Sequence, residues 1–155
     1  MRASGILMPV FSLPSRYGIG SFSKSAYQFV DMLKKAGQKY WQILPLCPTS
    51  YGDSPYQSFS TYAGNPYFID LDQLIEEKLL TRKECQACDF GDDPQDIDYG
   101  KLYESRFKLL RKAYERANVG EDQEFEAYRR ENAWWLDDYG LFMAVKDIFG
   151  GNSWD

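Results

Sequence analysis

The sequence predicts an α/β fold, and three observations support that prediction. Short apolar runs at residues 5–10 and 40–46 are typical of buried strands, and the segment between them has helical periodicity. Strand, helix and strand in this order form a βαβ unit, so the two strands should be parallel neighbours. Because two strands make no closed sheet, we expect this chain of 155 residues to be the N-terminal part of a larger α/β protein.

The helix between the two strands carries its own start and stop signals. Ser23 suits the N-cap position, since its hydroxyl can accept a hydrogen bond from a free backbone N–H of the first turn. Gly37 stands where a glycine commonly ends a helix. The apolar stripe between them consists of Ala26, Phe29, Val30 and Leu33.

Residues 71–155 are predicted to be helical. A short helix at 71–80 is followed by an acidic loop at 88–98, and Asp98 is positioned to cap a long helix that ends at 118–120. We expect one face of that helix to be core: Tyr103, Phe107, Leu110 and Tyr114. A last helix starts near residue 121 and is apolar nearly all round from 134 to 149, so it requires cover on every side.

Charge and hydropathy narrow the classes of partner. Eighteen Lys and Arg residues against 23 Asp and Glu residues give a net charge of −5, which argues against nucleic acid and anionic membranes as partners. No apolar run is long enough to cross a membrane, and the first residues do not form a signal peptide. We therefore expect a cytoplasmic protein.

The sequence contains no histidine, which excludes Ser-His-Asp and Cys-His catalysis and histidine-based metal sites. Three cysteines are an odd number and favour a reducing compartment over a disulfide framework. Cys85 and Cys88 have C-x-x-C spacing, but the chain lacks the second ligand pair of a zinc site and the βαβ context of a redox motif. We interpret that spacing as without function.

Residues 51–70, here called the aromatic loop, follow directly on the second predicted strand. Five aromatic side chains lie at 51–67 among Asp, Ser, Gln and Asn, and glycine and proline residues indicate an irregular backbone. The face of a sugar ring packs on Tyr or Phe, while its hydroxyls need polar side chains that donate and accept. A sugar site and a tyrosine-rich buried loop explain this composition about equally well.

At this point the residues resemble a known family. The segments at 12–20, 40–46, 52–58 and 63–66 look like the N-terminal signature blocks of the 4-α-glucanotransferases, also called amylomaltases or disproportionating enzymes. The segments at 133–139 and 150–154 resemble them as well. The similarity covers the whole chain, and one small departure is Ser60-Thr61-Tyr62, where Ser-Ala-Phe is commoner.

The resemblance implies the N-terminal part of a (β/α)8 TIM barrel with helical insertions. On that basis, 1–50 would be the first β/α units, 51–70 the substrate loop and 71–155 a helical insertion, with the remainder of the barrel absent. It also implies transfer of α-1,4-glucan segments between maltooligosaccharides with retention, without metal or organic cofactor. The two carboxylates of that reaction come from family motifs beyond Asp155, so no catalytic residue is assigned here.

The resemblance also suggests substrate-binding residues in the aromatic loop. Tyr56, stiffened by the preceding Pro55, resembles the ring platform beside the reacting sugar, and Ser54 resembles a neighbouring hydroxyl contact. Asp53 could bind sugar hydroxyls, although an Asx-type turn is its other role. Tyr51 is either an outlying glucan contact or an exposed turn residue.

Two other functions fit the same residues. A non-catalytic carbohydrate-binding module would use the same tyrosines but would fold independently. An interaction protein would dock its apolar C-terminal helix on a partner. Further β/α units with carboxylates at their strand ends would separate the enzyme from both alternatives.

Overall fold

The computed structural model describes residues 2–50 and 52–151, and it confirms the predicted βαβ unit. Strand β1 covers Gly5–Leu7, helix α1 covers Lys24–Lys35, and strand β2 covers Tyr40–Gln42. The strands are parallel, with Gly5 opposite Tyr40. Both strands are shorter than the apolar runs that predicted them, because the chain turns into a 3-10 helix at Val10–Ser12 and into coil after Gln42.

The prediction that these strands are buried on both faces is wrong for the part of the chain described. Ile6 is 39% exposed and Leu7 is 55% exposed. The physical reason is that β1 and β2 form a sheet of two strands within the described residues, so each has a neighbour on one side. The apolar side chains of the run are covered instead where the backbone leaves the strand, since Val10 is 1% exposed.

Helix α1 begins and ends as predicted. The Ser23 hydroxyl oxygen accepts a hydrogen bond from the Ser25 N–H at 3.3 Å. Gly37 adopts a φ of +71°, a left-handed conformation that glycine reaches without steric cost. From the predicted apolar stripe only Ala26 is fully buried, and Val30 remains 47% exposed.

The short helix predicted at 71–80 is present but ends early, and a second helix follows it. Helix α2 covers Leu71–Glu76, and Lys78 at a φ of +64° then turns the chain away. Helix α3 covers Arg82–Gln86 and starts with a reciprocal capping box between Thr81 and Glu84. The sequence pattern does not predict α3, because five residues are too few for a periodic apolar pattern.

The long helix α4 covers Tyr99–Arg116, and the predicted cap is confirmed, since Asp98 accepts from the Lys101 N–H at 3.0 Å. Its predicted core face is wrong. Tyr103 is 56% exposed and Tyr114 is 67% exposed. The buried face lies about one residue away and consists of Leu102, Ser105, Arg106, Leu109 and Ala113.

Helix α5 covers Gln123–Ile148 and follows a break at Asn118, which has a φ of +48°. None of its 26 residues is fully buried within the described structure. Trp134 is 65% exposed and Leu141 is 66% exposed, although both belong to the stretch predicted to need cover. No helix of the described residues has the length and apolar character to cross a membrane.

Candidate functional site

The aromatic loop follows β2 along the chain after the irregular segment 43–50, and its first part closes on itself within a few residues. The Ser50 N–H donates to the Gln57 carbonyl at 3.0 Å, and the Gln57 N–H donates to the Ser54 carbonyl at 3.1 Å. Gly52 and Asp53 make the reversal possible with φ angles of +90° and +55°. The hydrogen bond between Ser50 and Gln57 therefore closes a small turn, which carries Asp53, Ser54 and Tyr56.

Ser54 and Tyr56 are brought together by this turn. The Tyr56 N–H donates a hydrogen bond to the Ser54 hydroxyl oxygen at 3.3 Å, so the side chain of Ser54 stabilises the turn. Tyr56 presents a ring that is 72% exposed. An exposed ring on a hydrogen-bonded turn can act as a stacking platform without moving first. Tyr51, the fourth predicted site residue, lies outside the described residues.

Asp53 is half-buried and lies near two tyrosines, one at the end of the aromatic loop and one at the start of α4. Burial raises the pKa of its carboxyl group. Burial raises the pKa of Tyr67 to about 12, and the negative charge of Asp53 contributes to that rise. The pKa of Tyr99 is raised by the same two causes. The charge of Asp53 therefore acts on the phenols of both Tyr67 and Tyr99.

Aromatic rings continue from Tyr67 onto α4, and no sequence pattern pointed to them as part of the site. Tyr67 lies 6.1 Å from Tyr99 and 5.7 Å from Phe107 between ring centroids. Tyr103 lies 5.1 Å from Phe107. Tyr99, Tyr103 and Phe107 follow one another at intervals of four residues on α4, a pattern that also fits a core face, which is the role predicted for Tyr103 and Phe107. Since Tyr103 is mostly exposed, this row is a surface beside Asp53.

The outer part of the loop lies against α5. The Tyr62 ring contacts Trp134 edge to face with centroids 4.7 Å apart, and it lies 5.8 Å from Trp135. Phe59 lies 6.0 Å from Phe142, and the Lys146 ammonium lies 5.1 Å above the Phe59 ring. Through these ring contacts, residues 59–62 pack against α5.

The end of the loop is anchored by Asn65, which is 7% exposed. Its N–H donates to the Leu46 carbonyl at 2.8 Å, and its side-chain oxygen accepts from the Tyr67 N–H at 3.0 Å. The second bond caps the 3-10 helix Pro66–Phe68. Asn65 thus ties the end of the loop to the segment from which the loop departs.

The clearest depression near a chemically reactive side chain lies away from the loop. It has a volume of about 350 Å³, and its lining includes Arg16, Arg82, Cys85 and Cys88. Burial raises the pKa of the Cys85 thiol, which disfavours its reactive thiolate. Within residues 2–50 and 52–151, no three Asp, Glu, Cys or His side chains are grouped to hold a metal ion.

A parallel βαβ unit whose second strand leads into a shaped loop places the chain in the α/β class. The chain belongs to the 4-alpha-glucanotransferase family, because the sequence profile of that family matches residues 8–155. A 4-alpha-glucanotransferase of Clostridium butyricum is 55% identical over 148 residues, which cover 96% of this chain and 30% of that protein. One of Thermus thermophilus is 46% identical over 99% of this chain and 31% of that protein.

A solved structure agrees with this membership. The amylomaltase of Streptococcus agalactiae, solved in complex with acarbose, superimposes with a TM-score of 0.90 at 44% identity. The match covers 99% of this chain and 31% of that protein. The chain therefore spans about 30% of the length of the relatives it matches.

Proposed function

We propose that the protein is a 4-α-glucanotransferase that moves α-1,4-glucan segments between maltooligosaccharides with retention at the anomeric carbon. Family membership supports this proposal, and one observation in the structure carries it. The exposed ring of Tyr56 stands on a hydrogen-bonded turn with Ser54, in the irregular segment that follows the parallel strand β2 along the chain. Ligand sites of (β/α)8 barrels form at the carboxyl ends of the strands.

Each loop residue has a defined role in this proposal. Tyr56 supports the apolar face of a glucose ring, and the Ser54 hydroxyl binds a sugar hydroxyl beside it. Asp53 binds a further hydroxyl next to the phenols of Tyr67 and Tyr99. Tyr51 contributes an outlying contact to the glucan chain.

We also propose how the described elements belong to the complete enzyme. Residues 1–50 form the first β/α units of a (β/α)8 barrel, 51–70 the substrate loop and 71–155 a helical insertion. The rest of the barrel then covers the open sides of β1 and β2 and the apolar side chains of α5. The enzyme is cytoplasmic and needs no metal or organic cofactor.

The reaction requires two carboxyl groups about 5 Å apart, one as nucleophile and one as acid and base. The nucleophile forms a glycosyl-enzyme bond while the acid protonates the leaving oxygen, and an acceptor hydroxyl then displaces the enzyme. Several carboxylates here already have structural partners: Asp70, Asp98 and Asp122 cap helices, and Glu84 binds Arg116. We propose that this chain alone lacks the catalytic pair and is inactive.

Incubation with maltotriose tests both parts of this proposal. The complete enzyme should convert it to glucose and longer maltooligosaccharides, whereas the chain of 155 residues should leave it unchanged. Transfer by the isolated chain would show that its own acidic residues supply the catalytic pair. Absence of transfer by the complete enzyme would overturn the proposed function and would favour the non-catalytic carbohydrate-binding module.

A further inference from the structure

Arg106 is a buried cation in the interior of the helical region. Its side chain is 1% exposed, and it lies on α4 between two core residues, Leu102 and Leu109. Burial lowers the pKa of its guanidinium to about 10, so the group still carries its charge at neutral pH. A buried charge is costly unless other groups compensate it, and an apolar side chain would fill the same space at lower cost.

The compensation that Arg106 receives comes from the end of the aromatic loop. Its Nη2 donates a hydrogen bond to the Ile69 carbonyl. The neighbouring Asp70 favours the charged form electrostatically, while the Asp70 carboxylate also caps α2 by accepting from the Asp72 N–H at 3.1 Å. Within the described part of the chain, Arg106 Nε has no hydrogen-bond partner and the guanidinium has no carboxylate within ion-pair distance.

A short series of bonds connects this contact to the strand. The Ile69 N–H donates to the Pro66 carbonyl at 3.3 Å, which closes the 3-10 helix. Asn65 caps the start of that helix, and its own N–H binds the Leu46 carbonyl. The aromatic loop therefore has its far end fixed on two sides, by the segment after β2 and by α4.

We propose that Arg106 is a positioning residue, which holds the end of the aromatic loop on α4 so that Ser54 and Tyr56 keep a fixed place relative to the strand. The proposal rests on the proposed function for its effect on turnover. Its effect on the loop does not depend on that function. An uncharged residue at this position fills the core equally well but leaves the Ile69 carbonyl without its donor.

The test compares three variants of the complete enzyme: Arg106→Met, Arg106→Lys and Arg111→Met. Arg111 is the matched control, since it lies on the same helix with 73% of its side chain exposed and pairs with Asp147 at 3.5 Å. Hydrogen exchange is measured at the amides of Asn65 and residues 67–70, since Pro66 has no amide hydrogen, and at those of α4 as an internal reference. Turnover number and Michaelis constant are measured with maltotriose.

In Arg106→Met, exchange at residues 65–70 should accelerate about tenfold while α4 stays protected, because local opening becomes easier without global unfolding. The turnover number should fall about tenfold, since small displacements of substrate-positioning groups slow the chemical step. Arg106→Lys, which keeps the charge and a donor, should lie between Arg106→Met and the unaltered enzyme. Arg111→Met should change neither quantity.

Two results would overturn the proposal. One is early melting of Arg106→Met with unchanged turnover per folded molecule, which would make Arg106 a packing residue only. If Arg106→Met does not fold, Arg106→Leu takes its place, since it also lacks a donor, and unchanged loop exchange and turnover in that variant would have the same meaning. Failure of the proposed function is a separate outcome: the unaltered enzyme would not act on maltotriose, yet loop exchange would still respond to Arg106→Met.

Discussion

Helices α4 and α5 differ in how much of their surface the rest of the chain covers. In α4, which has 18 residues, one face is buried against α2, α3 and the loop that precedes them. In α5, which has 26 residues and more apolar side chains, no residue is fully buried within the described structure. Apolar content therefore does not determine which helix builds the core. The elements packed against each helix determine it.

The two helices also hold different parts of the aromatic loop by different means. Helix α4 holds the C-terminal end of the loop through the buried bond from Arg106 to Ile69. Helix α5 holds the middle of the loop through exposed ring contacts, such as that of Tyr62 with Trp134. Buried polar contacts fix geometry more strictly than exposed stacking does, so we expect the C-terminal end to be more rigid than the middle.

The largest effect is expected from shortening one leucine on each helix. Leu109 on α4 is 1% exposed, whereas Leu141 on α5 is 66% exposed. In the isolated chain, Leu109→Ala should lower the free energy of unfolding by about 2–5 kcal/mol, because it leaves a cavity in a packed core. Leu141→Ala should change it by less than about 0.5 kcal/mol. Urea denaturation measures both quantities.

A dye that fluoresces on apolar surfaces provides the control for this comparison. The isolated chain should bind it, and Leu141→Ala should reduce that binding more than Leu109→Ala does in folded protein. Equal losses of stability in the two variants would contradict the comparison and would show that α5 is already covered in solution.

Sequence patterns predicted the local features of the two regions well. The Ser23 and Asp98 caps, the stop at Gly37 and the parallel order of the strands all depend on neighbouring residues, and the structure confirms them. The core face of α4 depends on long-range packing. It was missed because a serine and an arginine, Ser105 and Arg106, occupy buried positions that periodicity assigns to apolar residues.

The candidate site shows the same difference between local features, which the sequence predicts, and long-range contacts, which it does not. The sequence identified the turn that carries Ser54 and Tyr56, because glycine, proline and aromatic residues are concentrated there. It did not identify Tyr99 as a neighbour of Asp53, since nothing local relates residues separated by an acidic loop and a helix start. It also did not show that residues 59–62 lie on α5.

A smaller effect is expected for Tyr56, measured as turnover in the complete enzyme. Tyr56→Ala should lower the turnover number about tenfold to a hundredfold, or about 1–3 kcal/mol, if the ring supports the sugar more strongly as the transition state forms. Tyr56→Phe should have a milder effect, because it keeps the stacking face. Steady-state kinetics with maltotriose separates the turnover number from the Michaelis constant.

Leu109→Ala is the suitable control for this experiment, because the Leu109 side chain is buried in the core. Tyr103 lies on the same helix but is mostly exposed, so its substitution would not test the core. Leu109→Ala should reduce stability and leave turnover per folded molecule unchanged. Early melting of Tyr56→Ala together with normal turnover would mean that the loop is structural and that the sugar platform lies elsewhere.

The smallest effect is expected where α3 is attached to α4 by surface charges. Glu84 receives two hydrogen bonds from the Arg116 guanidinium, at 2.8 and 3.0 Å, and lies 3.4 Å from the Lys112 ammonium. The Arg116 bonds and the Thr81 hydroxyl hold the pKa of Glu84 well below its usual range. Surface ion pairs contribute little individually, although a bidentate pair within a small network contributes more than an isolated one.

The depressed pKa fixes the direction of the pH dependence. Because the folded protein binds this proton more weakly than the unfolded chain, Glu84 contributes stability above the unfolded value of about 4.3. That contribution is lost as the pH falls through the lower folded value. Melting temperatures measured between about pH 6 and pH 2 should therefore fall more steeply for the unaltered chain than for Glu84→Gln. Parallel curves for the two proteins would show that this network does not attach α3 to α4 in solution.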